Sequence, residues 1–267
     1  MKKQILNNSV VETGRYVDIH CHCLAGFDDG PATMADTLSL CRALVEDKIA
    51  IVIATPHQLG RFDGKNVADA VRQGVFDLNR ELKAKNIPLI VFAGADVRLD
   101  ERIPYLIEAD RVLTVGDNNQ YLMLEIPHEV FINPEPLIAQ LASGGIKTII
   151  SHPERNEFIC NKPKTVLPWL RHGASLQVTA GSLSGDFGTT AKMTAWNLLR
   201  SGQAQLVATD AHDCKNRVPR MSEAFRLISN RIGVSTARRV CIENPKKVLE
   251  GKALEPVVNL VGREVCG

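Results

Sequence analysis

Short apolar runs of β-type residues recur along this chain, and nearly every one stops at a histidine or a carboxylate. Tyr16-Val17 leads into Asp18-Ile19-His20-Cys21-His22, Ala50 to Thr55 delivers His57, and Pro88 to Ala95 delivers Asp96. Tyr121 to Leu124 ends at Glu125, Lys147 to Ser151 at His152, and Gln205 to Thr209 at Asp210-Ala211-His212. Ser175 to Thr179 repeats the pattern and leads into a Gly/Ser loop. Runs this short are strands rather than helices. Between them lie helical periodicities. One starts at a Thr33 cap and runs through Leu38, Cys41, Leu44 and Val45; another spans Asn66 to about Lys85 with Val67, Val71, Val75, Leu78 and Leu82 as its buried stripe. Further helices are predicted over Pro134 to Ser143, around Lys164 to His172, and from Thr190 to Ser201. Strands alternating with helices imply parallel β/α units, and closing them into a barrel brings their carboxyl ends to one mouth.

The length suits that architecture. At 267 residues, with no linker, low-complexity tract or repeat period, the chain reads as one α/β barrel domain. A short N-terminal extension (about 1–14) and a short C-terminal tail complete it. Lysine plus arginine total 32 against 30 acids, so a net charge of +2 argues against nucleic acid as the main partner. The seven cysteines are scattered without a C-x-x-C pair, which points to reduced thiols and a cytoplasmic protein. No apolar run is long enough for membrane insertion.

Chemistry concentrates at the strand ends. In a strand, residues two apart share a face, so His20 and His22 aim two imidazoles at one point. Taken alone, an H-x-H pair is as readily two locally hydrogen-bonded histidines as a metal site. The wider pattern decides: His20, His22, Asp29, His57, Asp96, Glu125, His152, Asp210 and His212 all follow successive strands or the first loop. Nine such donors exceed what one ion uses, so two or three divalent ions with a bridging carboxylate are expected.

The motifs resemble the PHP-type (polymerase and histidinol phosphatase) metal-dependent hydrolases, specifically the manganese-dependent bacterial protein-tyrosine phosphatases of capsule and exopolysaccharide loci. The segments that carry the resemblance are Asp18-Ile19-His20-Cys21-His22 with Asp28-Asp29-Gly30, Ala54-Thr55-Pro56-His57, Ser151-His152-Pro153-Glu154-Arg155, and Thr209-Asp210-Ala211-His212. It extends from about Tyr16 to Gly251. It implies a distorted seven-stranded β/α barrel with the active site at the carboxyl ends of the strands, a trinuclear metal centre and phosphotyrosine hydrolysis. Manganese is the metal implied, with cobalt, zinc, iron or magnesium as substitutes. By motif position, His20 and His22 would hold one ion with Asp210, Asp29 with His57 and His212 a second, and Glu125 with His152 a third. Asp96 stands at the bridging position where the family usually has glutamate, one methylene longer, and Ala25 stands where Leu-Pro-Gly is usual. Arg155 and Arg217 would meet the phosphate, since guanidinium forks match its oxygens. The implied substrate is a phosphotyrosine protein, a bacterial tyrosine kinase controlling exopolysaccharide synthesis.

Several features point elsewhere and are weighed against this. Cys214 through Arg220 matches C-x5-R, the cysteine-phosphatase signature, but the intervening segment has no glycine and contains Pro219, which lacks an amide hydrogen to offer phosphate. His172 precedes Gly173 at a helix end, where it caps; His128 follows Pro127 in a loop and lines the mouth at most. Cys21 and Cys23 alternate with the two histidines and face away from them. Two other functions compete: a PHP enzyme acting on a small ester such as histidinol phosphate, and a catalytically silent barrel used for binding.

Overall fold

Apolar residues with β-branched side chains form strands wherever flanking helices cover them, and here every strand pairing is parallel. The structure is a computed structural model that describes residues 15–128 and 130–255. Both predicted terminal extensions lie essentially outside the described residues. In chain order the strands are β1 Tyr16–Cys21, β2 Ile49–Ala54, β3 His57–Gln58, β4 Ile90–Ala93, β5 Asp96–Arg98, β6 Tyr121–Glu125, β7 Lys147–Ser151, β8 Ser175–Thr179 and β9 Ala204–Ala208. They form one sheet of order β1-β2-β4 and another of order β3-β5-β6-β7-β8-β9.

Two interruptions separate the sheets. Thr55-Pro56 divides β2 from β3, since proline has no N–H for the ladder. Gly94-Ala95 divides β4 from β5, and glycine is required there because a Cβ on Gly94 would lie 2.7 Å from Ile53 Cγ2. The sequence places Asp96 at the end of a continuous run. Instead it opens a new strand, and the turn sends it and His57 into the second sheet, in register with each other. At the other edge the end of β1 is joined to the segment after β9: Cys21 bridges Ala211, the His22 N–H donates to Ala211 O at 2.9 Å, and the Asp210 N–H donates to His20 O at 2.8 Å.

The helices follow their apolar stripes with small corrections. Thr33 caps Met34–Glu46 by accepting the Asp36 N–H at 3.2 Å, a contact worth about 1 kcal/mol. The long helix is Ala68–Ala84, burying Val71, Val75, Leu78 and Leu82; Val67 falls at its cap, outside the stripe, and is exposed. The helix expected around Lys164 is a 3-10 turn, Pro163–Val166, followed by Leu167–Arg171, because Pro168 restarts the chain at a new first turn. The predicted Gly/Ser loop contains a short helix, Ala180–Ser184, ended by Gly185 in a left-handed conformation. Helix Gly188–Arg200 then returns to β9.

Most buried side chains form one large core between strands and helices. A smaller cluster joins Val17, Ile19, Ile51, Ile53, Tyr121, Met123, Ile149, Leu206 and Ala208. Each fully buried leucine or isoleucine contributes about 1.5–3 kcal/mol, so this scaffold holds the strand ends firmly. Among the described residues no helix is long and apolar enough to cross a membrane.

Candidate metal centre

All nine predicted donors converge at the carboxyl ends of the strands. Every one belongs to at least one group whose possible ligand atoms lie within 4.8 Å of one another. The two imidazoles from β1 show how this is done. The β1–β2 pairing shifts register between Asp18 and Cys21, a bulge that re-aims side chains, so Ile19 packs in the smaller apolar cluster while His20 faces the other donors. Asp18 anchors this strand end, accepting from Thr209 N at 3.0 Å and from the Thr209 hydroxyl.

Hydrogen-bond partners fix which nitrogen of each ring carries the proton. His20 Nδ1 lies 2.9 Å from Gln177 Oε1, and His22 Nδ1 lies 2.6 Å from Asp28 Oδ2. Both partner atoms accept, so both Nδ1 atoms hold protons and both Nε2 atoms turn inward. Those two Nε2 atoms sit 3.2 Å apart. Two lone pairs at that separation repel, so a proton or a metal cation belongs between them; burial opposes charge on His20, but Asp210 and Asp96 outweigh it and raise its pKa, so the centre favours a positive charge. His212 differs: its Nδ1 lies 3.0 Å from Asp210 O, and its Nε2, 3.4 Å from Asp29 Oδ1, accepts from Arg217 Nη1 at 2.8 Å.

The carboxylates complete the pattern. Asp96 Oδ1 accepts from the Ser151 hydroxyl at 2.9 Å, whereas Oδ2 stands 3.7 Å from His20 Nε2 and 3.6 Å from both His57 Nδ1 and His152 Nε2. Asp210 Oδ1 is 3.4 Å from His20 Nε2 and 3.5 Å from His22 Nε2. Among the described residues Asp96 Oδ2, Asp210 Oδ1 and His57 Nδ1 are buried with no hydrogen-bond partner. Donors about 2.0–2.2 Å from a shared small cation stand about 3.0–3.6 Å from one another, which is the spacing found here. The residues therefore fit divalent ions.

The grouping differs in part from the motif-based assignment. His22 clusters with Asp29, His57 and His212, and His20 with His152 and Asp210; Asp96 joins both His20 with His22 and His57 with Glu125. Glu125 and His152 meet a residue the sequence reading set aside: His128 forms a group with them and lies edge-on to His152, with ring centroids 5.2 Å apart. Two residues here adopt left-handed backbone, His152 at φ 34° and Asp210 at φ 51°, a conformation costing about 1–3 kcal/mol for a non-glycine residue.

Charge and burial set the protonation states. Burial, with the nearby His212, pushes His22 down to about 3, and burial with the Arg155 charge pushes His152 well below its ordinary value, so both rings are neutral and available as donors. Burial opposes ionisation of Asp210, but Arg155, His20 and Arg217 outweigh it and hold the carboxyl well below the usual range. Glu125 is pushed up by burial and by the Asp96 charge. Arg98, opposite it in the β5–β6 register, pairs with it at 3.2 Å.

Arg155 and Arg217 flank the donors at the mouth. Arg155 Nη1 and Arg217 Nη2 each donate to Asp210 Oδ2 at 2.5 Å, and both residues line a cavity of about 360 Å³ with Asp29, His57, Glu125 and His152. Cys214 is exposed, and Arg220 is taken up by Asp186 at 2.6 Å and Glu223 at 2.9 Å, so the C-x5-R segment does not build a phosphate cradle. His172 caps its helix and reaches Glu135 at the surface. Cys21 and Cys23 are buried in the large core, away from the donors. Besides His128, the sequence reading passed over Asp28 and Gln177, which orient imidazoles, and Arg98. Asp28 lies beside Asp29 in the first loop, and only the fold distinguishes their tasks.

The family model described as capsular polysaccharide synthesis, CpsB/CapC, matches residues 16–250. The tyrosine-protein phosphatase YwqE of Bacillus subtilis is 33% identical over 239 residues, 89% of this chain and 93% of its own. The putative tyrosine-protein phosphatase CapC of Staphylococcus aureus is 29% identical over 78% of this chain and 82% of its own. A solved structure from work on YwqE of Bacillus subtilis and CpsB of Streptococcus pneumoniae, described as unique metal-dependent tyrosine phosphatases, superposes with a TM-score of 0.85 at 32% identity. It covers 90% of this chain and 96% of that one.

Proposed function

Because the chain belongs to the CpsB/CapC family of capsular polysaccharide synthesis, we propose that it is a metal-dependent phosphatase that hydrolyses phosphotyrosine in proteins. The observation that carries the reading is the pair of inward imidazole nitrogens 3.2 Å apart, ringed by buried carboxylate oxygens without partners. In this reading β2 with β3 and β4 with β5 count as single broken strands. That gives a seven-stranded barrel in one domain, closed by the Cys21–Ala211 bridge.

His20, His22, Asp29, His57, Asp96, Glu125, His152, Asp210 and His212 would hold two or three divalent ions, manganese first, and His128 joins Glu125 and His152. Such ions supply a lowered pKa for water and positive charge against the phosphoryl oxygens. The chain's own side chains do the rest. Arg155 and Arg217 present guanidinium N–H groups from the mouth, where a phosphate monoester enters, and they bind its oxygens while the donors remain behind. Gln177 and Asp28 keep protons on the outer nitrogens of His20 and His22, so the inner lone pairs stay turned to the centre. A phenol leaves readily, so phosphotyrosine asks little of a general acid. The natural partner is then a phosphotyrosine protein, a tyrosine kinase of the capsule system, met in the cytoplasm.

Purified protein is treated with chelator, then reloaded with manganese, cobalt, zinc or magnesium, and assayed on a phosphotyrosine peptide and on histidinol phosphate. The proposal expects turnover of the peptide to vanish on chelation and return with manganese. Turnover by metal-free protein, or activity confined to histidinol phosphate, would overturn it.

A further inference from the structure

The candidate catalytic cavity opens into a second one. His128, Arg155 and Arg217 line both, standing as a partition between the ≈ 360 Å³ space over the donors and a neighbouring space of ≈ 640 Å³. The wall of that second space is Phe187. Both arginines lie over its ring, with the Arg155 guanidinium carbon 4.7 Å and the Arg217 carbon 5.9 Å from the centroid. The ring thus holds the partition upright by cation–π contact. Its own loop is tied down by the Asp186–Arg220 pair at 2.6 Å. Beyond Phe187, Thr190 and Ala191 come from the first turn of helix Gly188–Arg200, and Cys160 and Asn161 from the end of helix Glu157–Asn161.

A tyrosine whose phosphate sits against the arginines must leave the catalytic cavity with its backbone in some direction. Two rims compete. On the Phe62 side, Arg61 pairs with Asp29 at 3.1 Å and Phe62 stacks on His57 with centroids 5.6 Å apart, and the hollow beyond Leu59 and Phe62 amounts to only ≈ 20 Å³. On the Phe187 side the hollow is ≈ 640 Å³. A space of that size, apolar at Phe187 and Ala191 and hydrogen-bonding at Asn161 and Thr190, is of the kind that takes several residues of extended polypeptide. Small phosphate esters have nothing to put there.

We propose that the cavity between Phe187, Thr190 and Asn161 is a subsite for the polypeptide flanking the phosphotyrosine, with small or apolar side chains packing on Phe187 and Ala191. The exposed carboxylate of Glu157 on its lining disfavours an acidic flank by like-charge repulsion. This inference rests on the phosphotyrosine reading and deepens it from a reaction to a preference for protein substrate.

The test fills the subsite without touching the catalytic machinery. Thr190 and Asn161 are exposed, so Thr190→Trp and Asn161→Trp intrude on the cavity while the fold stays intact. Manganese-loaded wild type and both variants are assayed on a phosphotyrosine octapeptide with small neutral flanks and on p-nitrophenyl phosphate, with thermal melting as the folding check. The expected result is a loss of about tenfold or more in kcat/KM for the peptide, with p-nitrophenyl phosphate turnover within about twofold of wild type. Peptide and small ester unchanged in both variants, or both falling together in proteins that melt normally, would overturn the subsite. A wild type that hydrolyses neither substrate refutes the phosphatase reading instead, so the two failures are distinct.

Discussion

Asp210→Asn is the most informative single change, because one carboxylate serves both halves of the site. Its Oδ2 accepts from Arg155 and Arg217 at 2.5 Å each, and its Oδ1 faces His20 Nε2 at 3.4 Å and His22 Nε2 at 3.5 Å. An amide of the same shape keeps its oxygen toward only one side. Turned to the arginines, it turns an NH2 to the imidazoles and removes an anionic donor from the centre. Hydrogen bonds to charged groups are worth about 1.5–3 kcal/mol against about 0.5–1.5 for neutral pairs. Weakening two of them, with Arg217 partly exposed, costs the metal-free protein about 2 kcal/mol. At an unfolding entropy of about 2.1 cal/mol/K per residue over 267 residues, that lowers Tm by roughly 4 °C. The sign of the pH dependence follows from the depressed carboxyl pKa. Asp210 stabilises fully above its unfolded value of about 4, and that contribution is lost as pH falls from there toward the lower folded value. The variant's deficit is therefore present at neutral pH and closes in acid. Calorimetry of chelated proteins measures it, and turnover of the manganese-loaded pair should differ by more than about a hundredfold. A variant with wild-type metal content and wild-type turnover would refute the reasoning.

Asp28→Ala removes the acceptor that fixes the His22 tautomer and should weaken metal binding by about 10–100-fold in a competition titration with a chromophoric chelator; unchanged affinity would show the 2.6 Å contact to be incidental. His152→Ala should abolish turnover, whereas Cys214→Ser leaves it intact; the reverse outcome would favour cysteine chemistry. Asp47 accepts from the Met221 and Ser222 N–H groups at 2.5 and 3.0 Å, capping helix Met221–Arg231, so Asp47→Ala should lose about 1–2 kcal/mol in urea denaturation with no change in metal content.

Much of this arrangement was legible before any coordinates. Short continuous apolar runs that stop at His57, Glu125, His152 or Asp210, with helices between them, announce parallel strands, and parallel strands put their carboxyl ends together. What the pattern could not express is where a strand breaks. The Gly94 close approach to Ile53 and the prolyl gap at Pro56 are tertiary events, and they turn Asp96 from the end of one strand into the start of another. His128 escaped for a related reason. It sits three residues past Glu125 in a loop, where no periodicity assigns a direction to a side chain. Gln177 and Asp28 are ordinary polar residues until an imidazole from another strand or loop segment arrives beside them. Phe187 carries no motif at all, and its position against two arginines from distant segments exists only in the fold.

The central claim is that donors from distant strand ends share cations. Anomalous diffraction from a manganese-loaded crystal tests it most directly. The account predicts two or three strong peaks, one bounded by His22, Asp29, His57 and His212 and another against His20, His152 and Asp210, with Asp96 between them. Manganese bound elsewhere on the surface, with those imidazoles and carboxylates left to one another, would contradict it.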